Sequence, residues 1–402
     1  AGRALKVKVP VILGGYVNGY SLARGFFETN GTSSIVLDYQ GRSSRYSRFV
    51  EFHECPNPGD PRFLEFLAGL GNELSNHGKQ GILLATNDEW MIPVSRQKRA
   101  LSEIFVVSVS DWDVIERLTI KENFYTLCDE FSIRYPATVI QKNTDFKNVS
   151  KLQFPVLCKP SEVVEFIRKR PGERRNRVFG SEGELSEHIE QARAGGFDSP
   201  FILQEYIRGG PENLFTVTSC SDSKGRVRAL SVGRKLTQTP PEAGTITSGM
   251  IDWRPEIAES TVRLLDSIGL VGMANTEYKL DEETGIFHII ETNPRPGMWN
   301  YSTLLSGVDM YSILLNDPPE TAPILRGIRP AVWSITGTRG ILGSIRDGSL
   351  KERARNLILS GDVYDPRDCP GEGILYRLAI SVDKTRTWRS EERRVGKECR
   401  SR

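Results

Sequence analysis

Gly285-Ile-Phe-His-Ile-Ile-Glu-Thr-Asn-Pro-Arg-Pro-Gly297 is the stretch that decides how this 402-residue sequence is interpreted. It is an apolar strand whose end carries a carboxylate at Glu291, a carboxamide at Asn293 and a guanidinium at Arg295, before Pro and Gly stop it. Side chains alternate across a β-strand, so these three groups are predicted to project from one face.

A second strand, Met273-Ala-Asn-Thr-Glu-Tyr-Lys-Leu280, precedes this one, and Asp281-Glu-Glu-Thr-Gly285 between them has the composition of a hairpin turn. The hairpin is predicted to set Glu277 opposite or diagonal to Glu291 on the same face. Two carboxylates and a carboxamide oxygen in such proximity repel one another, and a hard divalent cation such as Mg2+ removes the conflict. The arrangement indicates a metal held for the phosphates of a nucleotide, with a surface hairpin of solvated acids as the alternative.

Length and composition set the broad class of protein. A chain with 26% charged and 38% hydrophobic residues is typical of a globular protein, and its length predicts more than one domain. It has no run of about 18 apolar residues, and its first ten residues lack the apolar core of a signal peptide. We therefore expect a cytoplasmic protein without membrane insertion. The five cysteines before residue 389 lack Cys-x-x-Cys spacing, which predicts reduced, mostly buried thiols.

The last residues, 389–402, resemble the translation of a common DNA-sequencing adapter and are expected to be an artefact. They carry six Lys/Arg and three Asp/Glu, so the formal net charge of +2 becomes −1 without them. A nucleic acid partner is therefore not expected.

Residues 9–110 alternate apolar strands with helical stretches, a pattern that predicts a doubly wound parallel sheet. Four strands are predicted, at 11–15, 34–38, 81–85 and 104–108. Ligands of such sheets bind beyond the carboxyl ends of the strands. Asn18, Asp38 and the loop 86–89 are candidate contacts there, with ordinary polar loops and helix caps as the alternative.

Two lysines of the next region lie where each could meet an anion. Thr119-Ile-Lys-Glu122 has the pattern of a capping box, which puts Lys121 in the first turn of a helix, near its partial positive charge. Lys159 ends a short apolar strand, and Pro160 after it keeps the chain extended. The residues that follow, 161–176, include one glycine and several arginines.

Two later segments add a strand with a turn, at 200–212, and a basic strand end, Gly233-Arg-Lys235. The features therefore run in a fixed order along the chain. They are a lysine, a second lysine, a strand and turn with acids, a basic strand, an acidic strand and the Glu-x-Asn-x-Arg row.

This order resembles the ATP-grasp superfamily, in which an acidic residue on one strand and a Glu-x-Asn on the next bind Mg2+ ions that bridge the ATP phosphates. The resemblance implies an α/β chain with an N-terminal doubly wound parallel sheet, the pre-ATP-grasp domain (1–110), followed by a two-lobed α+β ATP-grasp domain (111–315). Within the latter, 111–205 would form the small lobe and hinge, and 206–315 the large lobe. Residues 316–388 would form a strand-rich C-terminal appendage that completes the lobe or makes a homodimer contact.

The resemblance also implies roles for single residues. The implied metal ligands are Glu277, Glu291 and Asn293. The implied nucleotide contacts are Lys121 and Lys159 for the phosphates, Gln204 at the adenine edge, the backbone of Glu205 and Ile207 for adenine, and Glu212 for the ribose. The implied catalytic residues are Arg295 for the acyl phosphate, and Lys235 and Arg234 for the terminal phosphate or acceptor. The implied cofactors are ATP and Mg2+, with Mn2+ as the alternative ion; residues 161–176 depart from the family's usual glycine-rich, phosphate-covering loop.

ATP-grasp enzymes typically transfer the γ-phosphoryl group of ATP to a carboxylate, and an amine or other nucleophile then attacks the acyl phosphate. Within the superfamily, the stretches 11–25, 116–130 and 272–275 resemble the D-aspartate ligase group, which attaches D-aspartate to a lysine side chain of peptidoglycan precursors. The expected partners are an amino acid donor and an amine acceptor such as a peptidoglycan precursor. Two alternatives stay open: an ATP-grasp activity of the carboxylase or carbamoyl-transfer type, and a non-catalytic ATP-binding regulatory module.

Overall fold

The structure is a computed structural model. The residues that it describes are 6–239, 245–298, 300–335, 337, 341–366, 372, 375–377 and 379–380. The predicted adapter segment lies outside these residues, as does Cys369. By internal contacts the chain divides into two compact units, and the described part of unit 1 comprises 6–120, 210–278 and 291–380, whereas that of unit 2 comprises 121–209 and 279–290.

Unit 1 begins with the parallel sheet that the alternating strands and helices predict. Its elements are β1 (Val7–Leu13), α1 (Val17–Asn30), β2 (Ser34–Asp38), β3 (Val50–Glu54), α2 (Arg62–Asn76), β4 (Lys79–Ala85), α3 (Asp88–Arg96), α4 (Lys98–Leu101), β5 (Val106–Val107) and α5 (Trp112–Thr119). The strand order is β3-β2-β1-β4-β5, and all four pairings are parallel. The second half of the central strand β1, from Val9 to Leu13, is apolar, and its last four residues are buried because helices cover both faces of the sheet.

The edge strand β3 was not predicted from the sequence. None of its five residues is fully buried, so Val-Glu-Phe-His-Glu has no apolar run like those of β1 or β4. An edge strand bonds to one neighbour only and keeps much of its surface in solvent, which removes the hydrophobic signal on which the prediction depends.

Unit 2 is built on a four-stranded antiparallel sheet. Its elements are α6 (Lys121–Glu130), β6 (Thr138–Gln141), β7 (Val156–Pro160), α7 (Val163–Lys169), β8 (Arg177–Phe179), α8 (Glu182–Ala194) and β9 (Phe201–Glu205). The strand order is β6-β9-β7-β8, and a core of apolar side chains that includes Phe166, Phe197 and Phe201 packs against it. Lys121 is the first residue of α6, as predicted.

The capping box that led to this prediction is wrong. Thr119 is the last residue of α5, and its hydroxyl donates a hydrogen bond to the carbonyl of Ile115 at 2.9 Å. Thr119 is therefore a helical residue of α5, whereas an N-cap residue lies outside the helix with non-helical backbone angles.

The rest of the described chain forms an eight-stranded sheet together with the helices that lie between its strands in sequence. Its elements are β10 (Leu214–Ser221), β11 (Val227–Thr239), β12 (Thr245–Ile251), α9 (Pro255–Ile268), β13 (Gly272–Leu280), β14 (Phe287–Asn293), α10 (Ser302–Leu305), α11 (Met310–Leu315), β15 (Leu325–Gly327), β16 (Val332–Ser334), α12 (Ile341–Ser344), α13 (Gly348–Ser360) and β17 (Val363–Tyr364). The strand order is β14-β13-β10-β11-β12-β16-β17, with β15 beside β11.

The described C-terminal strands pair with strands of the large sheet. β16 pairs with β12, β17 with β16 and β15 with β11, so residues after 316 complete the large sheet, and the 13-residue helix α13 packs there as well. This is one of the two interpretations that the sequence left open. The predicted homodimer contact stays a prediction.

One apolar core joins the first sheet of unit 1 to the large sheet. Ile12 and Phe26 from the N-terminal elements pack in the same cluster as Cys220, Met273 and Tyr311. A domain boundary near residue 110 is therefore not visible in the contacts, and the predicted domain bounds stay a prediction.

Two further findings concern the cysteines and membrane-spanning helices. Cys55, Cys128, Cys158 and Cys220 are free and buried, which confirms the prediction for these four. In the part of the chain that the structure describes, no helix combines the length and the apolar character needed to cross a membrane.

Candidate functional site

The hairpin predicted from the sequence is present. The Asp281 amide donates to the carbonyl of Ile286 at 2.9 Å, and the Gly285 amide donates to the carbonyl of Asp281 at 2.8 Å. The Asp281 carboxylate accepts from the Glu283 amide at 3.0 Å and from the Thr284 hydroxyl at 2.8 Å. Gly285 has a φ of 69°, which is a conformation that glycine adopts without strain. These contacts close the turn and set how β13 meets β14.

The two faces of the hairpin have different surroundings. The hydroxyls of Thr276 and Thr292 lie 3.2 Å apart across the two strands, and both side chains are buried. Tyr278, on the same face of β13, shares a hydrogen bond of 3.0 Å with Thr261 of α9. Alternation therefore directs the neighbouring odd-numbered side chains away from α9. The side chains on this other face include the predicted ligands Glu277, Glu291 and Asn293.

The predicted polar row at the end of β14 is assembled. The Asn293 amide donates to Oε1 of Glu291 at 3.0 Å, and a terminal nitrogen of Arg295 donates to Oδ1 of Asn293 at 3.3 Å. Nε of Arg295 also donates to Oδ1 of Asp88 at 2.7 Å, and its terminal nitrogen lies 3.5 Å from Oδ2 of the same carboxylate. The structure thus brings Glu291, Asn293 and Arg295 together and adds Asp88, to which the sequence assigned no partner.

The backbone that follows the row is fixed by Asn275, a residue with no predicted role. Its side-chain amide donates to the carbonyl of Arg295 at 2.8 Å, and its Oδ1 accepts from the Thr218 hydroxyl at 2.9 Å. A Cβ on Gly297 would lie 2.8 Å from the Asn275 side chain, so only glycine fits this close approach. An Asn in the middle of a predicted strand is the signal that could have indicated this role, because a side-chain amide in a sheet needs hydrogen-bond partners.

The metal-binding prediction is compatible with the donor set on this face. Among the described residues, no three His, Cys, Asp or Glu side chains lie close enough to hold a metal by themselves. The predicted ligands supply two carboxylates and one amide oxygen. Mg2+ is usually bound through one or two carboxylates together with waters and substrate phosphates, so this set suits an ion that arrives with a nucleotide.

The two predicted basic residues of β11 point to opposite faces of the large sheet. β10 and β11 are in register at Thr216 and Gly233, and Thr218 contacts Asn275, so alternation puts Lys235 on the face that carries Glu277. Lys235 is 6% exposed, and its ammonium donates to Gln238 at 3.2 Å.

Arg234 has contacts of its own on the opposite face of the sheet from Lys235. Its Nε donates to the carbonyl of Glu212 at 2.6 Å, its guanidinium lies 5.3 Å from the ring centroid of Phe215, and a terminal nitrogen is 3.7 Å from the Asp252 carboxylate. Burial is the main cause that lowers its pKa below the ordinary value for arginine. Adjacent strand residues face opposite sides, so Arg234 and Lys235 lie on different faces of the sheet, and the predicted catalytic role of Arg234 stays a prediction.

Glu212 lies in a single 3-10 turn, Pro211–Asn213, directly before β10. Its carbonyl is the acceptor for Arg234, and its carboxylate lies against Gly210, where a Cβ would approach Oε2 to 2.4 Å. The main chain is therefore fixed at this position, and the predicted contact with a ribose stays a prediction.

In unit 2, Gln204 connects three other side chains. It is 2% exposed; Oε1 accepts from the Lys159 ammonium at 3.1 Å, and Nε2 donates to Thr138 at 3.0 Å and to the Tyr125 hydroxyl at 3.3 Å. Both amide hydrogens therefore have protein partners. The predicted position of Gln204 at an adenine edge stays untested, whereas its positioning of Lys159 is evident.

Lys121 belongs to the same group. Its ammonium lies 5.9 Å from the ring centroid of Phe124, and its charge acts on the neighbouring Tyr125 hydroxyl. Burial raises the pKa of Tyr125, and the positive charge of Lys121 opposes this shift. Gln204 thus connects Lys159 to Tyr125, and Lys121 lies near Tyr125, which the sequence presented only as an aromatic residue on a helix.

The predicted hinge follows β9. The Glu205 amide donates to the carbonyl of Ala137 at 2.9 Å, and its carboxylate accepts from the Gln153 amide at 2.8 Å. Ile207, two residues later, is half-buried. Glu205 is thus firmly placed, and the adenine contacts assigned to the two backbones stay predictions.

The residues after Lys159 form helix α7 where the family usually has a glycine-rich loop. The Ser161 amide donates to the carbonyl of Pro200 at 2.9 Å, and the Arg170 guanidinium donates to the carbonyl of Gln191 at 2.9 Å. Glu165 of α7 accepts a hydrogen bond from the Ser199 hydroxyl. Side-chain and backbone contacts therefore hold this segment against the rest of unit 2.

The fold defined by these elements is the ATP-grasp fold. N5-carboxyaminoimidazole synthetase from Staphylococcus aureus, in complex with ADP, has a TM-score of 0.60 at 16% identity, over 82% of each chain. The L-amino acid ligase from Bacillus licheniformis has a TM-score of 0.59 at 14% identity, over 82% of this chain and 80% of that one. No known family profile matches the chain.

Sequence similarity adds a more specific relative. The chain is 28% identical over 328 residues to the D-aspartate ligase of Enterococcus faecium (strain Aus0004). The aligned region covers 79% of this chain and 78% of that protein. A shorter match, 21% identical over 186 residues, is to the carbamoyl phosphate synthase large chain of Xylella fastidiosa (strain Temecula1 / ATCC 700964) and covers 44% of this chain and 16% of that protein. These similarities confirm the predicted resemblance to ATP-grasp enzymes and, among them, to the D-aspartate ligase group, and two of the similar proteins are amino acid ligases.

Proposed function

We propose that the chain activates the carboxylate of an amino acid as an acyl phosphate and joins it to an amine, forming an amide and releasing ADP and phosphate. The observation that carries the proposal is the row of Glu291, Asn293 and Arg295, joined by hydrogen bonds of 3.0 and 3.3 Å, on the face of the hairpin that also carries Glu277. Acids suited to Mg2+ stand there beside a guanidinium suited to a phosphoryl group.

The residues divide between charge neutralisation and metal binding. Lys121, Lys159 and Lys235 neutralise the phosphate charge, and the nucleotide's adenine and ribose meet the hinge and Glu212. Glu277, Glu291 and Asn293 hold Mg2+, or Mn2+ in its place. A bound divalent ion neutralises negative charge on the phosphates and orients them for transfer.

The reaction has two steps. A carboxylate oxygen of the donor attacks the γ-phosphorus of ATP and the bond from that phosphorus to the β-phosphate oxygen breaks, which gives ADP and the acyl phosphate. The acceptor amine then attacks the acyl carbon, the carbon–oxygen bond to phosphate breaks, and the amine loses a proton. Arg295 stabilises the charge of the transferred group through the guanidinium hydrogens that its contacts with Asp88 and Asn293 leave available. Catalysis of this kind depends on positioning and charge stabilisation, without a nucleophilic side chain.

We infer D-aspartate as the donor and the amine of a peptidoglycan precursor as the acceptor. The support is the similarity to the D-aspartate ligase of Enterococcus faecium over most of both chains. A cytoplasmic location fits an enzyme that uses ATP. Homodimer formation is not part of the proposal.

The second candidate is an ATP-grasp reaction on bicarbonate. It is supported by the match to a carbamoyl phosphate synthase and by the similar folds of carboxylating enzymes, among them the biotin carboxylase from Campylobacter jejuni, with a TM-score of 0.59 at 12% identity over 80% of this chain and 74% of that one. A regulatory module without turnover is the third.

One experiment separates the three. ADP release is measured with Mg-ATP and a panel of D- and L-amino acids, with and without a peptidoglycan precursor, and with bicarbonate alone. We expect release that requires an amino acid and increases with the precursor, and none for Glu291→Gln, the matched control for contaminating ATPases. Release with bicarbonate alone would favour the second candidate. ATP binding without release under all conditions would favour the third.

A further inference from the structure

The side chain of Arg295 is paired with a carboxylate that comes from a distant part of the sequence. Asp88, which lies 207 residues earlier, accepts from Nε of Arg295 at 2.7 Å. The Arg295 side chain is 22% exposed and that of Asp88 is 51% exposed. A pair exposed to this extent contributes only about 0.2–1 kcal/mol to stability, so stability alone does not account for its position at the end of the polar row.

Asp88 is held in place by the loop from which it comes. It is the first residue of α3, a helix of nine residues, and the preceding Asn87 caps that helix by accepting from the Trp90 amide at 3.1 Å. The partial positive charge of the helix end favours a negative charge at this position. The Asp88 carboxylate is therefore presented by a fixed backbone.

Asparagine side chains tie three loops of unit 1 together around this pair. The Asn18 amide, after β1, donates to the carbonyl of Thr86 at 2.6 Å, just before Asp88. The Asn300 amide donates to the carbonyl of Asn18 at 3.1 Å and joins the loop that carries Arg295. The loops after β1, β4 and β14 thus form one structure, and it lies at the carboxyl ends of the parallel strands, where ligands of such sheets bind.

Both members of the pair have capacity for further partners. A guanidinium carries five donor hydrogens, and Arg295 here has three acceptor contacts, two of them to Asp88. An ionised carboxylate has about four acceptor positions. A ligand can therefore bind both groups without breaking the contact between them.

We propose that Asp88 and Arg295 together recognise an α-amino acid, with Asp88 binding its ammonium group and Arg295 an oxygen of the carboxylate that is activated. A positive and a negative group held side by side match the two opposite charges of a zwitterion. Asp88 is therefore the residue that selects an amino acid over a plain carboxylic acid. This inference rests on the proposed function and names the residue that sets its donor class.

The test compares each donor with its analogue that lacks the amino group. For D-aspartate the analogue is succinate, and for any better donor found in the panel it is the corresponding deamino acid. We expect the wild type to favour the amino acid in kcat/KM by roughly 10- to 100-fold, as for loss of a charge-assisted hydrogen bond. Asp88→Asn should remove this preference by raising KM for the amino acid, with kcat/KM for the deamino acid within about three-fold of wild type.

A matched control and a conservative variant complete the design. Asp60 forms a similar exposed pair with Arg62, at 2.6 Å, elsewhere in unit 1, so Asp60→Asn should keep the full preference. Asp88→Glu, which keeps the charge, should restore part of it.

The outcomes are distinct. An Asp88→Asn variant that keeps the wild-type preference, or that loses kcat equally with both donors, overturns the inference, because Asp88 would then only orient Arg295. If none of the amino acids in the panel makes the wild type release ADP, the proposed function itself fails, and the variants need not be compared.

Discussion

Replacing Arg295 by lysine should separate the chemical role of its planar fork from its charge. The guanidinium contacts both oxygens of Asp88, at 2.7 and 3.5 Å, and Oδ1 of Asn293 at 3.3 Å. A lysine ammonium is a single point charge on a flexible stem and cannot bridge two oxygens of a phosphoryl group in the same plane. We expect kcat to fall by about 10²–10³, or about 2.7–4 kcal/mol, the range typical for loss of a preorganised transition-state donor.

Stability should change much less. The pair with Asp88 is 22% and 51% exposed, so its loss should cost about 0.2–1 kcal/mol, which lowers the melting temperature by only a few degrees. Arg228→Lys is the matched control with the opposite outcome. Arg228 is 9% exposed in its side chain and bonds to Asp222 at 2.5 Å and to the carbonyl of Glu320 at 3.0 Å. This variant should lose about 1–3 kcal/mol of stability and keep its turnover.

The assay is ADP release with the best donor, together with the dissociation constant of ATP and the thermal unfolding midpoint. A donor carboxylate labelled with 18O adds a direct view of the intermediate, since the oxygen that attacks phosphorus leaves with the phosphate. One labelled oxygen should appear in the phosphate released by the wild type. The reasoning is refuted if Arg295→Lys keeps kcat within about three-fold of wild type, or if its fold reduction in kcat only equals its fold reduction in ATP affinity. Release of unlabelled phosphate during amide formation by the wild type would also refute it.

Three further predictions test other parts of the chain. Glu291→Gln should abolish turnover and weaken Mg2+-dependent ATP binding with an unchanged melting temperature, because its amide oxygen can still accept from Asn293; near-normal ADP release at limiting Mg2+ would contradict the metal assignment. Gln204→Met should raise KM for ATP and leave donor KM unchanged, because the hydrogen bond from the Lys159 ammonium to Gln204 is lost and the ammonium is positioned less well; unchanged KM for ATP would count against this role. Burial and the Arg177 charge lower the pKa of His188 to about 4, so the folded state takes up this proton at a lower pH than the unfolded state does. The free energy of unfolding should therefore fall as pH drops from about 6.5 to about 4, by up to about 3 kcal/mol. Unfolding midpoints at several pH values should show this dependence in the wild type and a flatter one in His188→Gln, and equal slopes would disprove the attribution.

The chemical core of the site follows from the sequence because it depends on short-range rules. Strand alternation alone predicts that Glu291, Asn293 and Arg295 form a row, and the turn composition predicts the hairpin that brings Glu277 to it. The same rule, applied to neighbouring residues, would have separated Arg234 from Lys235. The N-terminal parallel sheet could also be predicted from the sequence, because its inner strands are buried on both faces and contain apolar runs.

Tertiary structure alone decided the contacts between segments that are far apart in sequence. The partner of Arg295 is 207 residues away, and nothing local to Asp88 indicates it. The sequence places Gln204 in a strand followed by a turn, and only the assembled sheet shows that its amide is buried and bonded to Thr138 and Lys159. The C-terminal segment was predicted to be rich in strands, but its neighbours were not: β15 pairs with β11, β16 with β12 and β17 with β16. The physical reason is that local propensity reports what a segment can form by itself, whereas its burial, charge partners and sheet neighbours depend on which distant segments pack against it.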